Sequence, residues 1–539
     1  MNALRLVCWL VVTLLELAGA AAARPADPSL LKVSRLLLES RIEEADAALR
    51  PIESSRASDP SVLLLRGEIL FQLGSYDESA KILRKAVADS RLPAAELSEG
   101  RAMLELATAT AEATRGLVEQ RSPSGHFVFR YRRGKDEVLI PYASAALDKA
   151  WAALASDFAD SSDPQAAAPT APVRVEIYEE IADLARVSTL TLHEIETSGT
   201  IALCKWNRLM IVSPKALLRG YPWLDTLTHE YTHYIVSRAG RGQVPLWVHE
   251  GLAKFQEKRW RGPSGGGLSP AMEQLLSTAL QKKRLISFEQ MSPSMAKLPS
   301  QEDTALAFAE VYTFIEYLHG RAGFGGIRSL IRSLADGLGE ARAMQTAFGI
   351  PFDELDHGWR GYLRSRKTRS RTGPFTEKLR FRKPGTSKAA TAEDDESGDI
   401  SDPKVRGFVR LGGLLRARGR LQAAAFEYEK AASQAGAPHP LVGLKLGRTY
   451  LDQNDAERAV AALELPSEQY PDWAGLQAAL GTAYLRKGDL TKAETALEAA
   501  VATSPFDPNV HCGLKAIYEQ RKSPLLDQAS RACTLLSGH

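Results

Sequence analysis

Two short runs hold the residues best suited to chemistry: Thr228-His229-Glu230-Tyr231-Thr232-His233-Tyr234 and, farther along, Trp247-Val248-His249-Glu250-Gly251-Leu252-Ala253. On a helix, residues four apart share a face about one turn from each other, so His229 and His233 can aim both imidazoles at a single point. Neutral imidazole is a preferred zinc ligand, and catalytic zinc usually keeps three protein ligands and a water. Glu230 lies about 100° around the helix from His229, where it can flank that water as general base. Glu250 opens the next apolar helical stretch and offers the third ligand. His249 is a weaker ligand candidate, because helix neighbours diverge by about 100° and cannot both face one ion. The chemistry indicated is metal-assisted hydrolysis of peptide bonds.

Leu224, Leu227, Tyr231, Tyr234 and Ile235 bracket the first run at helical spacing, which puts its helix in a core. Histidines and a glutamate pointing inward from such a helix need partners, and a metal supplies them. A degenerate or empty site is the alternative.

Together the two runs resemble the gluzincin branch of zinc peptidases, and in particular the bacterial peptidase MA-like domains that occur with tetratricopeptide repeats. The metzincin pattern would need a histidine where this chain has Ala239. The resemblance covers roughly residues 124–365 and implies His229, His233 and Glu250 as zinc ligands and Glu230 as catalyst. Aminopeptidase relatives carry a glutamate in a G-x-x-E-N type segment to hold the free amine. Gly199-Thr200-Ile201-Ala202-Leu203 has none, which argues for an endopeptidase, although Glu194 and Glu196 stand nearby. Related gluzincins place there the sheet edge that pairs with extended substrate. Where relatives carry an oxyanion-stabilising tyrosine this chain has Phe308; Tyr312, one turn later on the same face, either replaces it or packs in the core. His193 is another conceivable donor, or a solvated loop histidine. Thermolysin-like relatives have, at the position of Lys254, an acid that could receive the outer N–H of a ligating imidazole. Asp225, one turn before His229, could serve instead, or cap the helix start.

The elements that must position these groups are readable from periodicity. His126 to Tyr131, Val173 to Tyr178 and Leu209 to Val212 alternate as half-buried strands, so a small sheet precedes the zinc helix. A helix over Tyr142 to Phe158 lies between the first two, followed by a Ser/Pro/Ala-rich loop over Ser161 to Ala171. Further helices over Ile327–Leu334 and Phe352–Leu363 close the domain.

On either side the chain is repetitive. From residue 29 to 120 it is helical, with Leu63, Gly67, Leu70, Gly74, Tyr76, Leu83 and Ala86 at the packing and turn places of a tetratricopeptide unit. In the last third Gly412, Gly447 and Gly481 recur at intervals of 35 and 34, with Leu415, Tyr450 and Tyr484 three residues after each and Ala424, Ala459 and Ala493 twelve after. Gly419, Asn454 and Gly488 take the turn within each unit, Pro471 and Pro505 close units, and Tyr518 marks a fourth. Such units bury their apolar faces only by stacking on neighbours. Between the domains, residues 366–402 combine a basic cluster with Glu393-Asp394-Asp395-Glu396 and few apolar residues, the composition of a flexible tether.

The chain has 539 residues, too many for one core, and a formal net charge of +3, which gives no reason to expect nucleic acid or an anionic membrane as partner. Residues 1–23 read as a cleavable secretory signal: Arg5, then a short apolar core over Leu6–Leu15, then small residues before Arg24-Pro25. Glu16 interrupts the apolar run, so no stable membrane span is expected after cleavage, and the expected compartment is the periplasm or the outside of a bacterium. Four cysteines, one in the leader, exclude a disulfide scaffold. Cys512 and Cys533 either pair in that oxidising compartment or remain buried thiols.

The expected architecture is therefore multidomain and mostly α: a signal at 1–23, helical repeats at 29–120, an α+β gluzincin-like zinc metallopeptidase domain with a small sheet at 124–365, a charged tether at 366–402, and an α-solenoid repeat array at 403–539. The expected function is an exported zinc-dependent peptidase acting on peptide or protein substrate, with the arrays recruiting substrate or a protein partner. The competing expectation is a non-catalytic repeat scaffold that keeps a degenerate peptidase fold as a binding module.

Overall fold

Strands and capped helices appear in the computed structural model where the sequence places them, but the central strands are buried on both faces rather than half-buried as expected. The structure describes residues 27–159, 169, 171–262, 266–291, 295, 298–366, 379–382 and 400–538. The expected secretory signal, nearly all of the Ser/Pro/Ala-rich loop and most of the expected tether lie outside the described residues. No helix among the described residues is long and apolar enough to cross a membrane. The described residues form two compact units, one of 27–132, 143–212 and 226–366, the other of 133–142, 213–225, 379–382 and 400–538.

The first unit opens with five helices, α1 (Pro28–Leu38), α2 (Ile42–Ser55), α3 (Pro60–Gln72), α4 (Tyr76–Ala88) and α5 (Ala94–Ala113). Asp27 and Asp59 cap α1 and α3 just before a proline in the first turn, where the missing N–H costs nothing. Leu83 of α4 is fully buried, and Gly74 turns the chain between α3 and α4 at φ +83°, as the repeat pattern requires.

Five strands follow: β1 (Val118–Arg121), β2 (Phe127–Tyr131), β3 (Val173–Tyr178), β4 (Ala202–Lys205) and β5 (Arg208–Val212), with α6 (Leu139–Phe158) between β2 and β3. They form one mixed sheet in the order β1-β2-β3-β5-β4. The β2–β3 and β3–β5 pairs are parallel and the two outer pairs antiparallel. Strand β1 has no alternating signal, since Val118-Glu119-Gln120-Arg121 is mostly exposed. Trp206 and Asn207, both at positive φ, make the tight turn from β4 to β5 that suits strand twist.

A buried polar network fastens the N-terminal helices to this sheet. Arg208 of β5 and Glu176 of β3, neither exposed at all, pair at 2.7 Å. The hydroxyl of Tyr76 on α4 donates to Glu176 at 2.5 Å and accepts from Arg208 at 2.5 Å, while Tyr178 donates to Glu176 at 2.6 Å. The repeats at 29–120 and the sheet thus share one interior, because the residue at the repeat's packing position, Tyr76, spends its hydroxyl on the sheet's ion pair.

The second unit stacks four helical pairs over Pro403–Ala417, Leu421–Ala435, Pro440–Asp452, Ala456–Gln469, Ala474–Lys487, Leu490–Thr503, Pro508–Arg521 and Leu526–Ser537. Gly419, Asn454 and Gly488 take positive φ at the turns, as expected. At Gly447 a Cβ would stand 2.4 Å from Leu463, so the small residue is what lets paired helices touch. Tyr450, Tyr484 and Tyr518 donate in turn to Glu429, Glu464 and Glu498, one rung per repeat. Cys512 and Cys533 are joined in a disulfide between the last two helices, which resolves the open alternative in favour of pairing. Two segments remote in sequence also belong to this unit: Tyr142 lies 3.2 Å from His511, and the Trp223 indole donates to the Val501 carbonyl at 2.9 Å.

Part of the expected tether departs from that expectation. Leu217 bridges Phe381 in antiparallel sense, with Leu218 N–H to Arg380 at 2.9 Å and Arg382 N–H to Ala216 at 2.7 Å. Leu379 and Phe381 interrupt the charged stretch with apolar side chains, and backbone pairing with Ala216–Leu218 gives this short piece a fixed place.

Candidate metal centre

Two helices carry the site: α7 (Trp223–Ala239) and α8 (Leu246–Gln256). On α7, Leu227, Tyr231 and Ile235 are fully buried, and Tyr231 meets Phe127 of β2 edge-on at 5.2 Å between ring centres. The apolar face of the helix is thereby spent on the sheet. On α8, Trp247 is the anchor. Its ring packs against Phe288, Phe314 and Phe352 at 4.6, 5.7 and 6.1 Å, and its N–H donates to Glu340 at 3.1 Å. Gly251 then permits close passage beneath a long helix, Gln301–Ala335, where a Cβ would sit 2.8 Å from Ile315 and 3.0 Å from the Val311 carbonyl. With Trp247 on one side and Gly251 on the other, Glu250 is turned toward α7.

The result is a close triangle. His229 Nε2 and His233 Nε2 lie 3.2 Å apart, and Glu250 Oε2 is 3.4 Å from the first and 3.5 Å from the second. Bonds of about 2.0–2.1 Å in tetrahedral geometry require ligand atoms about 3.3–3.4 Å apart. The three side chains therefore fit one small divalent ion, and they are the only such group of His, Cys, Asp and Glu among the described residues. Glu230 is 7% exposed and sits beside the triangle on the same helix. Burial pushes its pKa up, the two histidines draw it down, Glu250 pushes it up again and the Cys204 backbone N–H, which it accepts, lowers it; the net shift is upward.

The outer groups differ from the sequence expectation. Lys254 does stand where relatives carry an acid, but Glu257 supplies a carboxylate one turn farther on. Its Oε2 lies 3.7 Å from His229 Nδ1 and its Oε1 2.8 Å from Lys254 Nζ. Residue 257 is seven positions after Glu250, two turns along and on the same face, which is the signal that would have found it. Asp225, the other candidate for this place, is buried in the first turn of α7. On the far side, His249 Nδ1 lies 3.2 Å from His233 Nδ1, so His249 reaches a ligand's ring rather than the ion position.

Charge follows this geometry. Burial disfavours a charged His229, yet bonds to Glu250 and Glu257 lift it to about 10. Glu250 is held well below the usual carboxylate range by both histidines against the cost of burial. Burial likewise opposes Glu257, and Lys254 with His229 brings it to about 2. Burial and the neighbouring His233 lower His249 to about 3, so its ring stays neutral.

The remaining candidates fall as follows. Tyr312 is 7% exposed on the long helix, its ring 5.7 Å from Phe255, and burial followed by Glu316 pushes its pKa well up. Phe308 is half-buried one turn earlier on that helix. His193 is exposed, on a short helix over Leu192–Ser198 rather than in a loop. Glu194 caps that helix by accepting the Thr191 N–H at 2.5 Å, and Glu196 is exposed. The sheet edge starts at Ala202, three residues after Gly199, and β4 has no second strand partner among the described residues. The link from Cys204 N–H to Glu230 was not legible in the sequence, because a main-chain donor leaves no residue signature.

Comparison with known proteins gives the class. Residues 154–365 match the profile of the Peptidase MA superfamily, and residues 31–109 and 444–508 match a tetratricopeptide repeat profile. The chain thus carries a Peptidase MA superfamily domain flanked by tetratricopeptide repeats, on a mostly helical scaffold with one small mixed sheet. No curated protein matches the sequence. Among solved structures, a thermophilic tetratricopeptide repeat protein of Thermus thermophilus is 23% identical, covers 25% of this chain and 73% of its own, and has a TM-score of 0.22. The Cut9–Hcn1 hetero-tetramer of the APC/C is 13% identical over 98% of each chain with a TM-score of 0.24, and yeast Tom70 is 14% identical over 94% and 90% with a TM-score of 0.22.

The contact between Glu257 and His229 carries a prediction. Outer carboxylates orient ligating imidazoles and raise their basicity, and losing one weakens metal binding by about 10–100-fold. Glu257→Gln is expected to show a loss of that size in zinc affinity, read by competition with a chromophoric chelator. An unchanged affinity would reduce Glu257 to a partner of Lys254.

Proposed function

We propose that this chain is an exported zinc-dependent peptidase, with His229, His233 and Glu250 holding the ion and Glu230 moving the proton. The observation that carries the proposal is the triangle of ligand atoms at 3.2–3.5 Å with a buried glutamate beside it. A zinc ion held there supplies Lewis acidity toward a carbonyl oxygen and makes a water acidic enough to attack near neutral pH. Glu230 accepts the proton of the attacking water at its carboxylate and returns it to the leaving amine, a double duty suited to a carboxyl group whose pKa is raised by burial. The Cys204 N–H keeps the Glu230 carboxylate oriented between those steps.

Internal cleavage fits the open side of β4, to which an extended peptide can add as a further strand while its backbone provides the affinity. Gly199 to Leu203 offers no carboxylate for a free amine, and Glu194 is committed to its own helix cap. Tyr312 remains the candidate for a phenol donor to the developing oxyanion. Tetratricopeptide arrays commonly present a concave surface to peptides or partner proteins, which supports a recruiting role for the repeats. Export is supported by the leader-like residues 1–23 and agrees with the Cys512–Cys533 bond, since such bonds persist in oxidising compartments.

The test is metal content followed by activity. Purified protein is expected to hold about one zinc per chain and to cleave a mixed peptide library at internal bonds, with activity abolished by a chelator and restored by zinc. Bound zinc without cleavage of any peptide would instead favour the scaffold role.

A further inference from the structure

We infer that Trp206 is a positioning residue for substrate: seated among the N-terminal helices, it fixes the open edge of β4 beside Glu230. The inference rests on the peptidase reading above, in which that edge receives the peptide. Trp206 and Asn207 are the central residues of the β4–β5 turn, at φ 52° and 59°. Such turns favour asparagine and glycine, because a bulky side chain is strained at positive φ. Trp206 is the only aromatic residue at positive φ among the described residues, so what favours it lies outside the turn. Its indole packs on the cluster that includes Leu64, Phe71, Tyr76 and Leu83 of α3 and α4. It meets the fully buried Phe71 edge-on at 5.5 Å between ring centres. Around it, the Arg208 guanidinium stands over Phe71 at 5.0 Å and Tyr76 at 4.9 Å, and Lys205 Nζ lies over the indole at 4.6 Å. The N-terminal helices thus hold the turn as well as the face of the sheet.

Strand β4 carries that hold to the site. The Val212 N–H donates to the Ile201 carbonyl at 2.9 Å, and farther along Leu203 faces Met210 and Lys205 faces Arg208. Bonded pairs alternate in an antiparallel ladder, so Leu203 and Lys205 also spend their main chain on β5. Ala202 and Cys204 turn theirs to the open side. There the Cys204 N–H donates to Glu230, and Ala202 presents its N–H and carbonyl along the line an added strand would take. Cys204 is two residues from Trp206, so a shift of the turn moves the edge and the Glu230 donor together. The helices at 29–120 therefore contribute to the site itself, by holding the strand against which the peptide lies.

The experiment compares Trp206→Asn and Phe71→Leu with wild type in the full chain. Asparagine suits the turn better than tryptophan but gives up the seat. Leucine leaves the turn intact and removes the aromatic wall of the seat. Amide hydrogen exchange over residues 202–205 is expected to quicken about tenfold in both variants, with exchange over 173–178 unchanged. For Trp206→Asn, kcat/KM on the peptide pool is expected to fall about 10–100-fold, mainly through KM, with zinc content unchanged. A tryptophan that served only general stability would quicken exchange across the whole sheet and leave KM alone, and that outcome overturns the inference. Wild-type exchange over 202–205 in Trp206→Asn overturns it too, as does an unchanged KM. If Trp206→Asn does not fold, Phe71→Leu decides by the same measurements. A wild-type chain without peptidase activity would sink the peptidase reading, and the exchange comparison would still decide whether Trp206 holds β4.

Discussion

Glu230→Gln is expected to retain zinc and lose peptide hydrolysis by about 10²–10⁴-fold, equivalent to about 3–5 kcal/mol of barrier. The substitution is nearly isosteric. A glutamine oxygen can still accept the Cys204 N–H, and with residue 230 only 7% exposed there is little room for rearrangement. Only the capacity to take and return a proton is removed. The three ligand side chains are untouched, so metal content and melting temperature should match the parent. Steady-state hydrolysis of a fluorogenic peptide pool, with zinc analysis on the same samples, checks the outcome. More than a tenth of the activity surviving in the variant would remove Glu230 from the proposed mechanism. Substitution of His229 should behave differently, because it would take away the ion as well.

The second large effect lies far from the site in purpose. Glu176→Gln is expected to destabilise the first unit by about 3–5 kcal/mol, because it leaves the Arg208 guanidinium, itself 0% exposed, without its counter-charge. Two tyrosine hydroxyls would also lose the anion they donate to. The double variant Glu176→Leu/Arg208→Met should recover most of that loss, since apolar replacement of a whole buried pair is often neutral. The sign of the pH dependence follows from the carboxyl group. Burial raises its pKa, but Arg208 and Arg174 outweigh this and the folded value lies below the ordinary one. Its contribution is therefore full above the unfolded pKa and is lost as pH falls through the lowered value. Urea midpoints at neutral and acidic pH would show both effects, and a midpoint unchanged by Glu176→Gln would mean that the network does not hold repeats and sheet together.

Local chemistry made much of the protein legible without coordinates. The spacing of His229 and His233 follows from helical geometry, and periodic glycines and tyrosines with turn residues such as Asn454 mark the repeats because each unit solves one packing problem the same way. Strands over 126–131, 173–178 and 209–212 were placed from their runs of apolar and β-branched or aromatic residues. They are not half-buried as expected: the folded strands are buried at nearly every position, and β5 at all five. Strand β1 was not placed, because its exposed polar residues are paired by backbone alone. Leu379 and Phe381 were hidden in the same way, two apolar residues inside a charged run whose partner, Ala216–Leu218, is distant in sequence.

What the sequence by itself determined was the set of groups: two histidines one turn apart, a glutamate beside them, and a second helix able to bring Glu250. Helical periodicity is a local property, so it needs no knowledge of the rest of the chain. What only the tertiary structure decided was how those groups are supported. Glu257 rather than residue 254 stands against His229, and His249 stands against His233. Both depend on the angle and depth at which α8 crosses α7, which are set by Trp247 in its aromatic cluster and by the missing side chain of Gly251. Such a crossing is the sum of many distant contacts, and no single stretch of sequence encodes it.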